Sequence, residues 1–501
     1  MKVSRPDIDR PHASPAAPRW IRLATHPGVL APFAFALVIL LLLAFVNQEI
    51  YVDEAWLGQQ VYTLLTHGDV SSPFFQDLPP LDGAIVVYHK LLIWAAAGMS
   101  SVIGWGLYQL RIVPLLCGLA LLGLVYWRLR RVSFVVAVMA VLILLVTPLF
   151  YRFMILFRPE MMVALLGFVS FLSLERAVDG KGVLWIILSG LLAGLTGSAH
   201  AAGLAFAGAG FISLLMQKRL TGALLFGLCA VIGFLPYLTG FFTDRALFLD
   251  QVLHNPLFGT DLSNTWLRAP LNVLEEHKRW FRKPEIIGLS VLFILSLFQK
   301  SRAEFSRSRF FWWYFGSLVL ILAAAPIPKI TRYLVSLAPF MAMIISENLA
   351  VGQFAGSGAK KVIRPVLMAW LIIFVGYGVW SLFDEAALHP NQQLDTNSLL
   401  ASQMEKQTIV MAPFDFTFEQ QPYFDIVSFR GVRLAAGEHR SALFLETYAD
   451  AHHARYLLLS PEEIDDWGLD RNAVGASFTL YEPVACAPQN ERWLLQRVPA
   501  R

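Results

Sequence analysis

Apolar residues along this chain come in long unbroken blocks rather than in alternation. Val29–Val46, Val135–Thr147 and Val366–Val379 contain no Asp, Glu, Lys or Arg, and each continues into further apolar sequence. A bilayer core about 30 Å thick takes about 20 residues of helix to cross. Only helices and closed barrels satisfy their backbone groups inside it. Barrel strands would alternate, so the pattern predicts membrane helices. Eleven spans are predicted, near 28–48, 106–127, 133–150, 160–174, 183–199, 201–216, 220–241, 286–298, 310–325, 331–349 and 365–382. A further apolar stretch, Ala84–Gly104, contains His89-Lys90 and is predicted as a helix lying along or dipping into the outer interface. Past residue 382 the pattern changes. Short β-like runs (Gln407–Met411, Ile426–Phe429, Tyr456–Leu459, Ser477–Tyr481 and Trp493–Val498) alternate with helical ones. The expected fold is an all-α polytopic membrane bundle over 23–382 with a small α/β domain at 383–501.

Composition supports this and adds a division. The chain is 56% hydrophobic and 15% charged, against about 25% charged in soluble proteins, which excludes an ordinary soluble enzyme. Residues 383–501 carry 9 Lys/Arg against 17 Asp/Glu, whereas the first 382 carry 31 against 19. The formal charge of +4 is a sum of two unlike parts, and it is not the footprint of a nucleic-acid binder. Basic clusters recur at Lys2–Arg22, Arg128–Arg131, Arg176/Lys181, Lys218-Arg219, Lys300–Arg309 and Lys360–Arg364, all on one side of the predicted spans. The positive-inside bias makes that side cytoplasmic. An odd number of spans then places the acidic tail outside. The expectation is a multi-pass protein of the bacterial inner membrane, with a disordered cytoplasmic arm at 1–22 and a periplasmic tail. Cys117, Cys229 and Cys486 form no disulfide or metal-ligand spacing.

Two outer loops, 49–105 and 242–285, are long, aromatic and rich in ionisable groups. The first opens with Tyr51-Val52-Asp53-Glu54-Ala55-Trp56. Adjacent carboxylates at a membrane surface suit a general base, which needs a carboxylate beside an acceptor hydroxyl. They equally suit a helix start, with Asp53 capping a helix over 54–66 and Glu54 facing its dipole. Arg111, Arg152, Arg158, Lys329 and Arg332 fall near the outer ends of spans. There they either snorkel to the interface or hold a phosphate. His200 sits at an outer helix break, as a substrate contact or as a satisfied interfacial histidine. The second loop, with Asp250, His254, Asp261, Trp266 and Glu275–Trp280, reads as an amphipathic lid or as a solvated charged helix. No cofactor is required, and no spacing of His and carboxylates indicates a divalent metal.

Five short motifs share the outer side of the predicted spans. They are the Asp53-Glu54 pair, Leu78-Pro79-Pro80-Leu81, Leu110-Arg111-Ile112-Val113-Pro114, Phe157-Arg158-Pro159-Glu160-Met161 and Thr331-Arg332-Tyr333-Leu334. In this order they resemble the GT-C glycosyltransferases. More narrowly, the chain is similar to the family that includes protein O-mannosyltransferases, lipid A aminoarabinose transferases and bacterial galacturonosyl-transferring relatives. The likeness covers about residues 28–350. It implies an inverting transferase that moves a hexosyl or pentosyl group from a polyprenyl-phosphate donor to a lipid A, envelope glycan or protein acceptor at the outer face, among membrane lipids. It matches Asp53 to the catalytic aspartate and Glu54 to its neighbour. Arg111, Arg158 and Glu160 match positions near donor or acceptor, with Lys329, Arg332 and His200 as further substrate contacts. Leu78 departs from the Lys that aminoarabinose transferases carry before Pro-Pro. A transporter or flippase of a lipid-linked saccharide is the alternative. That class expects internal repeats and midplane charge, whereas here the ionisable groups gather at one face.

Overall fold

The computed structural model describes residues 27–72, 74, 78–180, 182–254, 269–298, 309–325, 329–351, 358–387, 392–487 and 492–498. The N-terminal arm, Asp261 and Trp266 lie outside them. Helices α1 (Pro27–Asn47), α2 (Val52–His67), α3 (Lys90–Ile103), α4 (Leu107–Leu129), α5 (Phe134–Leu145) and α6 (Pro148–Ile155) open the chain. They are followed by α7 (Glu160–Val178), α8 (Val183–Ala199), α9 (Leu204–Met216), α10 (Leu220–Thr243), α11 (Arg245–Leu253), α12 (Ala269–Leu274), α13 (Glu276–Phe281) and α14 (Pro284–Leu297). Next come α15 (Arg309–Ala324), a 3-10 turn at Thr331–Ser336, α16 (Ala338–Val351) and α17 (Gly358–Ala387).

Every predicted span contains a helix, but the count of eleven is not reproduced. Among the described residues four helices are long and apolar enough to cross a membrane: α4, α7, α10 and the part of α17 from Pro365. Two bent pairs raise this to six if each is one span. The chain is a multi-pass membrane protein.

The bends have local causes. The stretch predicted as one span at 133–150 breaks after Leu145, and α6 leaves α5 at 71°. Pro148 opens α6, and the residue before it, Thr147, sits extended at φ −83, ψ 110, because proline excludes its predecessor from helical geometry. α1 and α2 also meet at 71°. α8 and α10 pack along each other, and glycines set the spacing. A Cβ on Gly194 would lie 2.0 Å from the Ala230 carbonyl, and one on Gly233 would lie 2.1 Å from that of Leu191. Small residues at a helix interface allow this approach where no hydrophobic force separates helix from lipid.

The segment expected to lie along the interface is shorter and more enclosed than predicted. Its helix starts at Lys90, whose side chain is buried and bonded to Thr239 of α10. The segment before it is clamped to α11. The buried Gln251 amide accepts from the Val86 and Val87 N–H groups at 2.9 and 3.1 Å and donates to the Pro80 and Ala84 carbonyls at 2.9 and 2.8 Å. The first part of the expected lid is therefore fastened to the first loop.

The tail forms a five-stranded mixed sheet: β1 (Ile409–Ala412), β2 (Asp425–Ser428), β3 (Tyr456–Leu459), β4 (Tyr481–Ala487) and β5 (Arg492–Arg497), in the order β2-β1-β3-β5-β4. β1 runs parallel to β2 and β3, while β5 runs antiparallel to β3 and β4. Strand side chains alternate between faces, and the inner strands β1 and β3 are buried on both. Val410, Ala412, Ile426, Tyr456, Leu458 and Leu494 join the core of the membrane bundle. Met411, Val427, Leu457, Leu459 and Leu495 pack under the tail's own helices.

Candidate active site

The Asp-Glu pair starts α2, and the two carboxylates diverge. Tyr51 is the N-cap, which makes Glu54 the third helical residue. Glu54 reaches back to accept from the Tyr51 N–H at 2.9 Å, half of a capping box. The capping expected of Asp53 is thus supplied by Glu54. Successive helical residues point about 100° apart, and Asp53 faces elsewhere. Its carboxylate is 25% exposed and pairs with Arg158, with Arg332 at 3.6 Å on the same oxygen.

Glu54 is fully buried. It takes a fork from Arg111, Nε to Oε1 at 2.8 Å and Nη2 to Oε2 at 2.7 Å, and also accepts from the Phe157 N–H at 2.8 Å. Arg111 spends its other donors on the carbonyls of Phe45, Gln48 and Glu49. Its guanidinium is completely enclosed. Arg111 and Glu54, expected to meet the substrate, are both enclosed by protein and paired with each other. Together they tie the start of α2, the outer end of α4 and the turn before α7 into one frame.

Arg158 and Glu160 enter from that turn. Arg158 donates to Glu160 through Nη2 at 2.9 Å and Nε at 3.2 Å, and its guanidinium lies over the Tyr51 and Phe153 rings. Arg332, from the 3-10 turn, stands 3.5 Å from Glu160. Asp53, Arg158, Glu160 and Arg332, from three separate parts of the sequence, thus form one alternating network of charge.

His200 and His89 stack with ring centroids 4.9 Å apart, and His200 meets the Tyr333 ring edge-on at 5.5 Å. His200 Nδ1 accepts from the Ala202 N–H at 3.0 Å, which keeps it neutral. Burial pulls His89 down to about 4, against the nearby Glu160 carboxylate. His89 was visible in the sequence only as a polar interruption of an apolar stretch.

Lys329 belongs to a neighbouring cluster. It bonds Glu276 at 3.2 Å and the Ala323 carbonyl at 2.5 Å. Arg279, fully buried, bonds Glu276 at 3.0 Å, while its Nε and Nη2 meet no hydrogen-bond partner among the described residues. The Tyr333 ring joins the two clusters, with the Arg279 and Arg332 guanidinium carbons 5.7 and 5.5 Å from its centre. Glu276 and Arg279 lay in the charged helix read as a lid. Arg152 is occupied elsewhere, bridging Glu285 of α14 at 2.6 Å and Glu385 of α17 at 2.5 Å. Among the described residues no three His, Cys, Asp or Glu side chains gather as a metal site requires.

No family model matches the chain, and no curated protein matches it in sequence. Solved structures do match it in shape. ArnT from Cupriavidus metallidurans bound to undecaprenyl phosphate aligns with a TM-score of 0.61 at 13% identity, over 95% of this chain and 99% of that one. Its apo state gives 0.59. The archaeal oligosaccharyltransferase AglB from Archaeoglobus fulgidus, in complex with an inhibitory peptide and a dolichol-phosphate, gives 0.50 at 12% identity, over 96% of this chain and 75% of that one.

The chain has the GT-C fold. The fold expected from the motifs is the fold observed. Within the GT-C fold, three of the five motifs converge on one point, through Asp53, Arg158, Glu160 and Arg332. The Leu-Arg motif braces that point from behind. The Pro-Pro-Leu motif anchors α11 through Pro80.

Proposed function

We propose that this protein is an inverting membrane glycosyltransferase that moves a sugar from a polyprenyl-phosphate donor to an acceptor hydroxyl or phosphate at the outer face. The observation that carries this reading is the part-exposed Asp53 carboxylate held between two arginines, in a chain whose shape matches that of a protein bound to undecaprenyl phosphate. In the reaction the acceptor oxygen attacks the anomeric carbon as the bond from that carbon to the phosphate oxygen breaks. Asp53 takes the acceptor proton where the acceptor is a hydroxyl. The departing lipid phosphate gathers negative charge, which nearby cations stabilise as it develops. Arg332 holds its carboxylate partners only loosely, at 3.5 and 3.6 Å, and is free to turn toward that phosphate. Arg279, with two unpartnered nitrogens, and Lys329 are the second pair of donors for it. Arg158, paired with the Asp53 carboxylate, holds it in place. The sugar is a hexosyl or pentosyl group, and the setting is a bacterial inner membrane with the N-terminus cytoplasmic and the tail periplasmic.

The test is mass spectrometry of envelope lipids and glycans from cells with and without the gene. One defined sugar should disappear on deletion, return with the wild-type gene and stay absent with Asp53→Asn at equal expression. Full restoration by Asp53→Asn would remove the assignment. A build-up of lipid-linked sugar on the inner leaflet alone would favour the flippase.

A further inference from the structure

A cavity lies away from the carboxylate, between the far half of α2 and the first strands of the tail. It encloses about 670 Å³. Its membrane-side wall includes Tyr62, His67 and Asp82, and its tail-side wall includes Gln421, Tyr423 and Asp425. The membrane-side wall is braced by hydrogen bonds. The buried Gln59 amide oxygen accepts from the Ser72 hydroxyl at 2.7 Å and the Phe74 N–H at 3.2 Å, and the Thr63 hydroxyl donates to the Ser71 carbonyl at 3.1 Å. On the opposite wall the Gln421 side-chain oxygen is buried without a hydrogen-bond partner among the described residues.

The lining defines the ligand class. Among the described residues no Lys or Arg contributes to it, so it lacks the permanently charged donors that favour a phosphate or a carboxylate. Its amides, hydroxyls, carboxylates and two histidines are interleaved with two tyrosine rings and with apolar side chains that include Pro422 and Phe424. That is the surface that a neutral, hydroxyl-rich ligand satisfies, with polar groups for its edges and aromatic faces for its C–H groups. An acyl chain would leave these polar groups unmatched.

The position defines the role. Asp53 and the cavity share one helix. At 1.5 Å per residue, Gln59 and Tyr62 lie roughly 9 and 13 Å along α2 from Asp53. That axial separation is longer than one sugar ring and within the span of a short chain of sugars.

We infer that this cavity binds the non-reacting sugars of an extended neutral glycan acceptor, so that the tail helps to choose what is glycosylated. The inference rests on the glycosyltransferase reading, with Asp53 as base. Binding to this site adds equally to ground and transition states, and its loss therefore appears in KM rather than in kcat.

The experiment uses the full-length protein in detergent and two readouts. Saturation-transfer NMR with neutral oligosaccharides of graded length should show binding that strengthens with length. Tyr423→Ala, on the tail wall, and Asp82→Asn, on the membrane wall, should each weaken it by about tenfold, while Asp53→Asn leaves it intact. In turnover assays the same two variants should raise KM for the long acceptor about tenfold at unchanged kcat and leave a one-sugar acceptor unaffected. The inference is overturned if no oligosaccharide binds, if binding ignores both wall variants, or if long and short acceptors lose turnover equally. If binding maps to the cavity while wild type and Asp53→Asn transfer sugar alike, the cavity stands and the catalytic reading fails.

Discussion

Asp53 and Glu54 are neighbours in sequence, yet they face different surroundings. The sequence shows two adjacent carboxylates after a span, open to a base role or to a helix start. The helix period assigns one to the opening and the other to a sealed pocket with Arg111, and that split was not legible without knowing what packs behind α2. The two are separable by mutation. Asp53→Asn should leave the melting temperature in detergent near that of wild type and lower turnover by about two to four orders of magnitude, the range for loss of a general base. Glu54→Gln should do its damage through stability. It strands a guanidinium that has no exposed surface, and breaking such a pair from one side costs about 3–5 kcal/mol. Combining it with Arg111→Met should recover part of that loss, and a thermal melt of the three variants checks it. His89 gives a pH dependence of known sign. Its folded value of about 4 lies below the ordinary 6.5, so the unfolded chain takes up a proton that the folded chain refuses. Stability at neutral pH is full and declines as pH falls from about 6.5 toward 4. His89→Gln should flatten that part of the melting-temperature profile.

At the scale of elements, apolar blocks are legible from sequence and their ends are not. Every predicted span contains a helix, because an apolar run of that length has no other way to satisfy its backbone in lipid. The number that cross is a different question. An apolar window reads the same for a full span, for half of a bent pair and for a short helix buried among others, such as α14, which spans only Pro284–Leu297. Pro148 was available as a break signal inside the span predicted at 133–150, and the apolar count overrode it. The geometry at that break makes a local claim. Gly378 of α17 faces it, and a Cβ there would lie 1.9 Å from the Val146 carbonyl. Gly376, on the same helix, has nothing within 4 Å of such a Cβ. Gly378→Ala must push backbone against backbone and should destabilise by about 1–3 kcal/mol, as overpacking does. Gly376→Ala should be neutral or slightly stabilising, since alanine is the better helix former. Both are read as shifts in melting temperature in detergent.

At the scale of the molecule, the charge division marks the tail as a separate part of the chain, and the structure shows it docked. One face of the sheet belongs to the core of the membrane bundle. Its contact runs through Phe418, which is fully buried, stacks near Trp105 with centroids 6.0 Å apart, and sits so close to α2 that a Cβ on Gly58 would lie 2.8 Å from its ring. The sequence marks Phe418 only as one aromatic in a mixed segment, since nothing local tells a residue buried under its own domain from one buried against another. Because Phe418 presses on the helix that begins at Asp53, tail and carboxylate are mechanically continuous. Phe418→Ala removes a ring whose loss from a core costs about 3–5 kcal/mol, and the loss should fall on the docking rather than on the tail's second core, whose residues are a separate set. Hydrogen exchange should then rise in 409–428 and in α2, while the amides of the helix Ala442–Ala451 keep their protection. Uniform exchange across the whole tail would mean that Phe418 holds the domain together instead of holding it down.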